Sequence, residues 1–76
     1  MKPIVVESTT LATVAYDADR RLLQLGFRDQ AVYQYFDVPT DVHEDLLRSA
    51  SKGRYFNRVI RGRFVHAQVV SVDLLS

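Results

Sequence analysis

The sequence predicts a small α+β domain: an antiparallel β-meander of three or more strands packed against two short helices, with a C-terminal stretch able to add a further strand. Three observations predict this class. Apolar residues alternate with period two between Leu11 and Phe36, helical periodicity begins only after Pro39, and β-prone residues return after Gly62. Because 76 residues supply only one hydrophobic core, we expect residues 1–76 to form a single domain.

Composition excludes several classes of protein. The apolar share of 47% and the charged share of 25% are ordinary for a globular protein. The absence of cysteine excludes disulfides, thiolate metal sites and thiol nucleophiles. No apolar run approaches the roughly 20 residues that cross a bilayer, and the N-terminus lacks the features of a signal peptide. We therefore expect a cytoplasmic protein without a membrane partner.

The first half of the chain predicts the meander. Ile4 to Val6 is a brief apolar run typical of a short strand. Three longer β-prone runs follow, separated by polar turn residues: Leu11–Tyr16, Arg21–Phe27 and Ala31–Phe36. In the second of these runs Leu23, Leu25 and Phe27 fall on one face, so that face is expected to meet the helices.

The first helix is expected to follow Pro39, because proline lacks the donor that a sheet needs and holds the preceding residue extended. Asp41 and Glu44 have the spacing of a capping box, which predicts the start of this helix. Leu46 and Leu47 lie on its apolar side.

The second helix is predicted between Ser51, which can cap its first turn, and Gly62, which can end it. Gly53 is expected to let the chain turn between the two helices. After Gly62 the tail FVHAQVVSVDLL is apolar on both alternate sets of positions. Such a strand lies inside a sheet or pairs with another chain. We therefore expect residues 65–76 to form an extension beyond a core of about residues 6–64, and a homo-oligomer, with a dimer favoured.

One stretch of the sequence indicates a surface that binds a partner rather than a part of the hydrophobic core. Residues 51–63, SKGRYFNRVIRGR, carry five cations and no acidic residue, whereas the rest of the chain carries five cations and nine acidic residues. At about 100° per residue Arg54, Arg58 and Arg61 would share one narrow stripe of a helix. A local field of this kind attracts phosphate even when the net charge of the protein is only +1.

Several short motifs, in this order and spacing, resemble the KTSC domain, a module named for the C-terminus of some lysyl-tRNA synthetases and also found in small bacterial and phage proteins. They are TVAYD, LLQLGF, Tyr33-Gln34-Tyr35, Val38-Pro39 and Tyr55-Phe56-Asn57 followed by Ile60-Arg61. The resemblance covers about residues 6–64. It implies a small α+β domain with no known enzymatic activity and a suggested role in RNA binding. Gln30-Ala31 stands where the family usually has a glycine, so a different turn geometry is expected there.

The candidate nucleic-acid-binding residues are Lys52, Arg54, Asn57, Arg58, Arg61 and Arg63. Their cations could contact phosphates, and Asn57 could bond a base or phosphate. The alternatives are a solvated helix face whose cations pair with carboxylates such as Glu44 or Asp45, and an Asn57 that ties the helix to a neighbouring loop.

Tyr33 and Tyr35 share one strand face and could stack nucleic-acid bases. The alternative, which we favour, is that their rings pack beneath the helices.

The sequence offers no catalytic constellation and no metal or cofactor site. His43 and His66 lack carboxylate or cysteine partners at ligand spacing, and three glycines cannot form a phosphate-binding loop. We therefore expect a non-enzymatic module that binds RNA or single strands through its basic helix. The alternative is an oligomerising module whose arginine face recognises an acidic protein.

Overall fold

The alternating apolar residues form an antiparallel sheet, one face of which is covered by two short helices. The structure is a computed structural model that describes residues 1–70. Its strands are β1 (Ile4–Val5), β2 (Leu11–Asp17), β3 (Leu22–Phe27), β4 (Val32–Tyr35) and β5 (His66–Val69), and they lie in the sheet in chain order. The predicted α+β class, the meander and the additional C-terminal strand are all confirmed.

The strand register brings the apolar residues of one face together. Val14 pairs with Leu25, which pairs with Tyr33, and the next row joins Leu23 to Tyr35. Val14, Leu23, Leu25 and Tyr35 are buried in the core beneath the helices. The period-two pattern of the sequence therefore identified the face that packs.

Strand β5 belongs to the sheet of its own chain. His66 pairs with Tyr35, and Val69 pairs with Val32, so β5 extends the sheet beyond β4. Every residue of β5 is exposed, which makes it the outer strand rather than the interior strand that its two apolar faces suggested. The remainder of the predicted interchain strand, from residue 71 to Leu75, lies outside the described residues.

The first helix, α1 (Thr40–Arg48), begins two residues earlier than a capping box with Asp41 as its N-cap would require. Pro39 precedes it in extended conformation and offers no side-chain cap, while its carbonyl accepts the N–H of Val42 at 3.1 Å. The predicted capping box of Asp41 and Glu44 is therefore wrong. Asp41 lies instead within the first turn, where a negative charge is favourable to the helix dipole.

Two contacts fix α1 to the sheet. Leu46 is completely buried in the core. The ring of His43 stacks on that of Tyr16 with centroids 4.4 Å apart, and the Tyr16 hydroxyl donates to the Val38 carbonyl at 2.6 Å. One tyrosine thus holds both the start of α1 and the segment that leads into it.

The second helix begins as α2 (Lys52–Tyr55) and continues as a π-helical turn (Phe56–Ile60). Ser51 caps it, as predicted, by accepting the Arg54 N–H at 3.4 Å. The π turn is closed by the Arg61 N–H, which donates to the Phe56 carbonyl at 2.8 Å. Gly62 follows with a φ of 78°, so its predicted role in ending the helix is also confirmed.

Gly53 lies inside α2 rather than in a turn, so that prediction is wrong. A Cβ atom at this position would lie 2.5 Å from the Thr10 hydroxyl oxygen and 3.1 Å from the Thr10 Cβ. Glycine is required here because the helix approaches the β1–β2 connection too closely for any side chain. Gln30, in contrast, adopts a φ of 76° in the β3–β4 turn, so it takes the left-handed conformation that favours glycine.

Replacing Leu46 by alanine is expected to lower the free energy of unfolding by about 2–5 kcal/mol, because it empties a fully buried site. The free energy of unfolding of a domain of this size is only a few kcal/mol, so the variant should be largely unfolded. The neighbouring Leu47 is half-buried, and Leu47→Ala should lower the free energy of unfolding clearly less. Urea denaturation followed by circular dichroism measures both, and equal losses would contradict this account of how α1 docks.

Acidification is expected to weaken the fold through His43. Burial lowers the pKa of His43 below its ordinary value of 6.5, and Glu44 acts in the opposite direction. The unfolded chain then binds this proton more readily than the folded one, so stability present above pH 6.5 is lost as the pH falls below it. His43→Phe keeps a ring on Tyr16 without a titrating group. Denaturation midpoints between pH 7 and 5.5 should therefore fall in the wild type and stay more nearly constant in the variant.

Candidate functional site

The basic segment, residues 51–63, places most of its cations on the protein surface. Arg54, Arg58, Arg61 and Arg63 are exposed. Lys52 is half-buried and its ammonium donates to the Ser49 carbonyl at 3.1 Å, which helps to hold the connection between the helices. Four of the five predicted cations therefore face solvent, and the fifth has a structural role as well.

Within residues 1–70 no cation of the basic segment forms an ion pair. The two ion pairs in this part of the chain join Arg20 to Asp17 and Arg48 to Asp45. Asp45, one of the carboxylates considered as a partner for the arginines, is bonded to Arg48 of its own helix at 2.7 Å. The arginine charges of the basic segment are therefore not neutralised by the first helix.

The cations do not form the single narrow stripe that a regular α-helix would give. The π turn widens the helix after Tyr55, and Arg61 already has extended dihedrals (φ −63°, ψ 126°). The spacing of 100° per residue that predicted the stripe therefore does not apply to Arg58 and Arg61.

Two tyrosines beside the basic segment have raised pKa values. Burial raises the pKa of Tyr55, Asp45 and Asp41 raise it further, and Arg58 lowers it. Burial likewise raises the pKa of Tyr35, Tyr33 raises it further, and Arg61 lowers it. Both phenols are therefore held in the neutral form at physiological pH.

Asn57 is exposed, and its side-chain oxygen accepts from the Arg61 guanidinium at 3.4 Å. This contact stays within the basic segment and does not tie the helix to a neighbouring loop. Asn57 therefore lies on the same exposed surface as the arginines and helps to orient one of them.

The two candidate stacking tyrosines belong to an aromatic cluster between the sheet and the second helix. Tyr35 is only 4% exposed and meets Phe56 edge to face at 5.8 Å between centroids. Tyr33 is half-buried and meets Phe27 edge to face at 5.9 Å. Packing beneath the helix, the favoured alternative, therefore describes Tyr35, and the rings do not form an open platform on a bare sheet.

A partly open pocket of about 360 Å³ lies beside this cluster. Five rings contribute to its lining: Phe27, Tyr33, Tyr35, Phe56 and His66. Arg61 and Asp29 add one charge of each sign, and Ala31 and Gly62 complete the wall. The pocket thus joins the basic segment to the two tyrosines.

The pocket was not predicted from the sequence, although three of its lining residues, Arg61, Tyr33 and Tyr35, were candidate binding residues. His66 reaches the pocket because β5 pairs with β4 and places it opposite Tyr35, where the two ring centroids are 5.4 Å apart. The sequence did place Phe27 on the packed face of its strand, and this was the one indication that Phe27 would line the pocket. No pattern in the sequence indicated the pairing partner of β5.

The two histidines lie in different surroundings, His43 against Tyr16 and His66 in the pocket. In the part of the chain that the structure describes, no three histidine or carboxylate side chains cluster as metal ligands. None of the helices described there has the length and apolar character needed to cross a membrane.

Comparison with known proteins identifies relatives. The sequence model of the KTSC domain matches residues 7–64. A protein of Tsukamurella paurometabola is 39% identical over 59 residues, which cover 78% of this chain and 88% of that protein. A lysine–tRNA ligase of Nostoc punctiforme is 36% identical over 63 residues, which cover 83% of this chain but only 11% of the ligase.

A crystal structure shares the fold. The KTSC domain protein from Yersinia pestis superposes with a TM-score of 0.89 at 36% sequence identity, and the match covers 91% of this chain and 97% of that one. These matches indicate no catalytic family for the matched segment.

Proposed function

The chain belongs to the KTSC domain family, and from that premise we propose that it binds RNA or other single-stranded nucleic acid, without catalysis, through its basic segment. The observation that carries the proposal is the set of exposed arginines, Arg54, Arg58, Arg61 and Arg63, none of which pairs with a carboxylate within residues 1–70. Unneutralised cations on one surface are the usual electrostatic footprint of phosphate binding.

The distribution of charge supports the same proposal. The residues outside the basic segment carry five cations and nine acidic residues. A polyanion would therefore be attracted to one part of the surface and repelled from much of the remainder. This uneven distribution of charge would orient a nucleic-acid strand on the protein surface without requiring a large net charge.

The similarity to a tRNA ligase favours RNA over DNA as the nucleic acid that this protein binds. The matching segment occupies 11% of a lysine–tRNA ligase, an enzyme whose substrate is tRNA. A module that contacts phosphates near such an enzyme's substrate would add affinity independent of sequence. We therefore expect RNA as the preferred partner and a weak, salt-sensitive complex.

Reversing the charge of two exposed arginines, Arg54→Glu with Arg58→Glu, is expected to reduce affinity for single-stranded RNA by at least tenfold, because two attractive phosphate contacts become repulsive. A matched double reversal, Arg20→Glu with Arg21→Glu, makes the same change in net charge at exposed positions of the β2–β3 turn. It should reduce affinity far less. Fluorescence anisotropy with a labelled oligonucleotide measures both variants.

Equal losses in the two double variants would mean that net charge alone attracts RNA, and the basic segment would not be the binding surface. Absence of binding by the wild type at low salt would reject the proposal altogether. In that case the arginines would be better explained by an acidic protein partner.

We also infer a second function, self-association into a homodimer through the outer edge of β5. Val65, Val69 and Val70 are exposed at or beside this strand, and within residues 1–70 its outer edge pairs with no other strand. Exposed apolar edge strands are the positions at which sheets of two chains join.

Introducing lysines at this edge, Val69→Lys with Val70→Lys, is expected to yield a monomer, since edge lysines oppose strand pairing. The matched control is Ile4→Lys with Val5→Lys in β1, at the opposite edge of the sheet, where the two side chains are 48% and 83% exposed. Light scattering after size exclusion should report a dimer for the wild type and for the control. A monomeric wild type at high concentration would contradict the inference.

A further inference from the structure

We propose that the pocket between β4, β5 and the end of the second helix binds one nucleobase together with its adjoining phosphate. The inference rests on the proposed function, because phosphate contacts along the basic segment would bring a strand to this pocket. It adds a site for the base, which the arginines alone do not provide. The nucleotide could come from a strand or from a free mononucleotide.

The rings around the pocket suit a flat aromatic ligand. His66 lies 5.8 Å from Tyr33 and 5.4 Å from Tyr35 between ring centroids, and it is exposed on the edge strand. Tyr33 is only half-buried. Two partly accessible rings at the pocket wall can stack on a base, and stacking of this kind accepts any base because each has a π-face.

The charges of the pocket orient such a ligand. Arg61 is exposed at the wall and can contact a phosphate. Asp29, also in the lining, repels phosphate and can accept a hydrogen bond from an amino or imino group of a base. The phosphate is therefore directed towards Arg61 and the base edge towards Asp29.

The size and shape of the pocket agree with this ligand. A volume of about 360 Å³ lies at the lower end of the range of about 300–1,000 Å³ for small-molecule sites. Apart from its chain neighbours, no residue described by the structure has an atom within 4 Å of the place where a Gly62 Cβ would lie, so the wall near Arg61 is open. A nucleotide backbone can pass there while the base enters.

Packing in the hydrophobic core fixes the inner wall of the pocket. Tyr35 and Phe56 are buried in the core, and Phe27 contacts Phe56 edge to face at 5.2 Å. The inner wall is therefore fixed by core packing, while Tyr33, His66 and Arg61 form the accessible rim. A base would bind to a preformed site, which limits the entropy lost on binding.

The first test is an NMR titration of the isotope-labelled protein with AMP and, as the matched ligand without a base, ribose 5-phosphate. AMP is expected to shift the resonances of Ala31, Tyr33, Gly62 and His66 saturably, and ribose 5-phosphate to leave Tyr33 and His66 unchanged. The absence of saturable shifts at the pocket with millimolar AMP would overturn the inference.

Two variants test whether the pocket is the AMP-binding site. Ala31→Leu fills it without changing charge, and His66→Ala removes a ring from an exposed strand. Each should weaken AMP binding at least fivefold, whereas Arg20→Ala, which removes an exposed cation of the β2–β3 turn outside the lining, should not. Retained affinity in whichever of the two variants keeps a native spectrum would overturn the inference.

Oligonucleotides separate this inference from the proposed function. A single strand with bases should bind more tightly than an abasic strand of equal length, and Ala31→Leu should remove the difference. Equal binding of both strands would leave the phosphate-binding function intact and overturn the base pocket for strands. Binding of AMP without binding of either strand would reject the proposed function and assign the pocket to free nucleotides.

Discussion

The packing of Phe56 against Tyr35 and Phe27 is the contact on which both the fold and the candidate site depend. The centroid distances are 5.8 and 5.2 Å, and both pairs meet edge to face, the preferred geometry for aromatic rings. Phe56 is the first residue of the π turn and accepts the hydrogen bond that closes it. The same residue therefore joins the helix to the sheet and determines where the chain leaves the helix.

The path of the chain after this contact explains how the cations are arranged. The π turn ends at Ile60, which is completely buried. Arg61 is extended and Gly62 is left-handed, so the chain turns away towards β5. Arg61 consequently lies at the aromatic pocket. A regular helix would have placed Arg54, Arg58 and Arg61 on one stripe, whereas the π turn and the extended Arg61 interrupt that regular spacing.

Much of the fold could be predicted because local chemistry determines it. The alternation of Leu23, Leu25 and Phe27 identified the packed face, and Ser51 and Gly62 marked the limits of the second helix. The capping box failed because Pro39 already orients the first turn of α1 without a side-chain cap. Gly53 was misassigned because its reason for being glycine is a contact with Thr10, 43 positions earlier in the chain and invisible to local patterns.

The site was only partly predictable for the same reason. The excess of positive charge in residues 51–63 is a property of sequence alone and could be counted. The pocket depends on the pairing of β5 with β4, which brings His66 to Tyr35, and on the π turn, which brings Arg61 to the same place. The strand pairing joins segments that are distant in the chain, and the π turn replaces the regular α-helical turn that the periodicity predicted, so neither followed from the local pattern.

If the exposed arginines of the basic segment bind phosphates, affinity for nucleic acid must fall with salt, and this salt dependence is the most direct measurement of the interaction. Affinity for single-stranded RNA would be measured by anisotropy across a series of salt concentrations. Four or five neutralised phosphates predict a slope of log affinity against log salt between about −2.8 and about −3.5, at ~0.7 per phosphate. A slope near zero, or no binding at the lowest salt, would contradict the account.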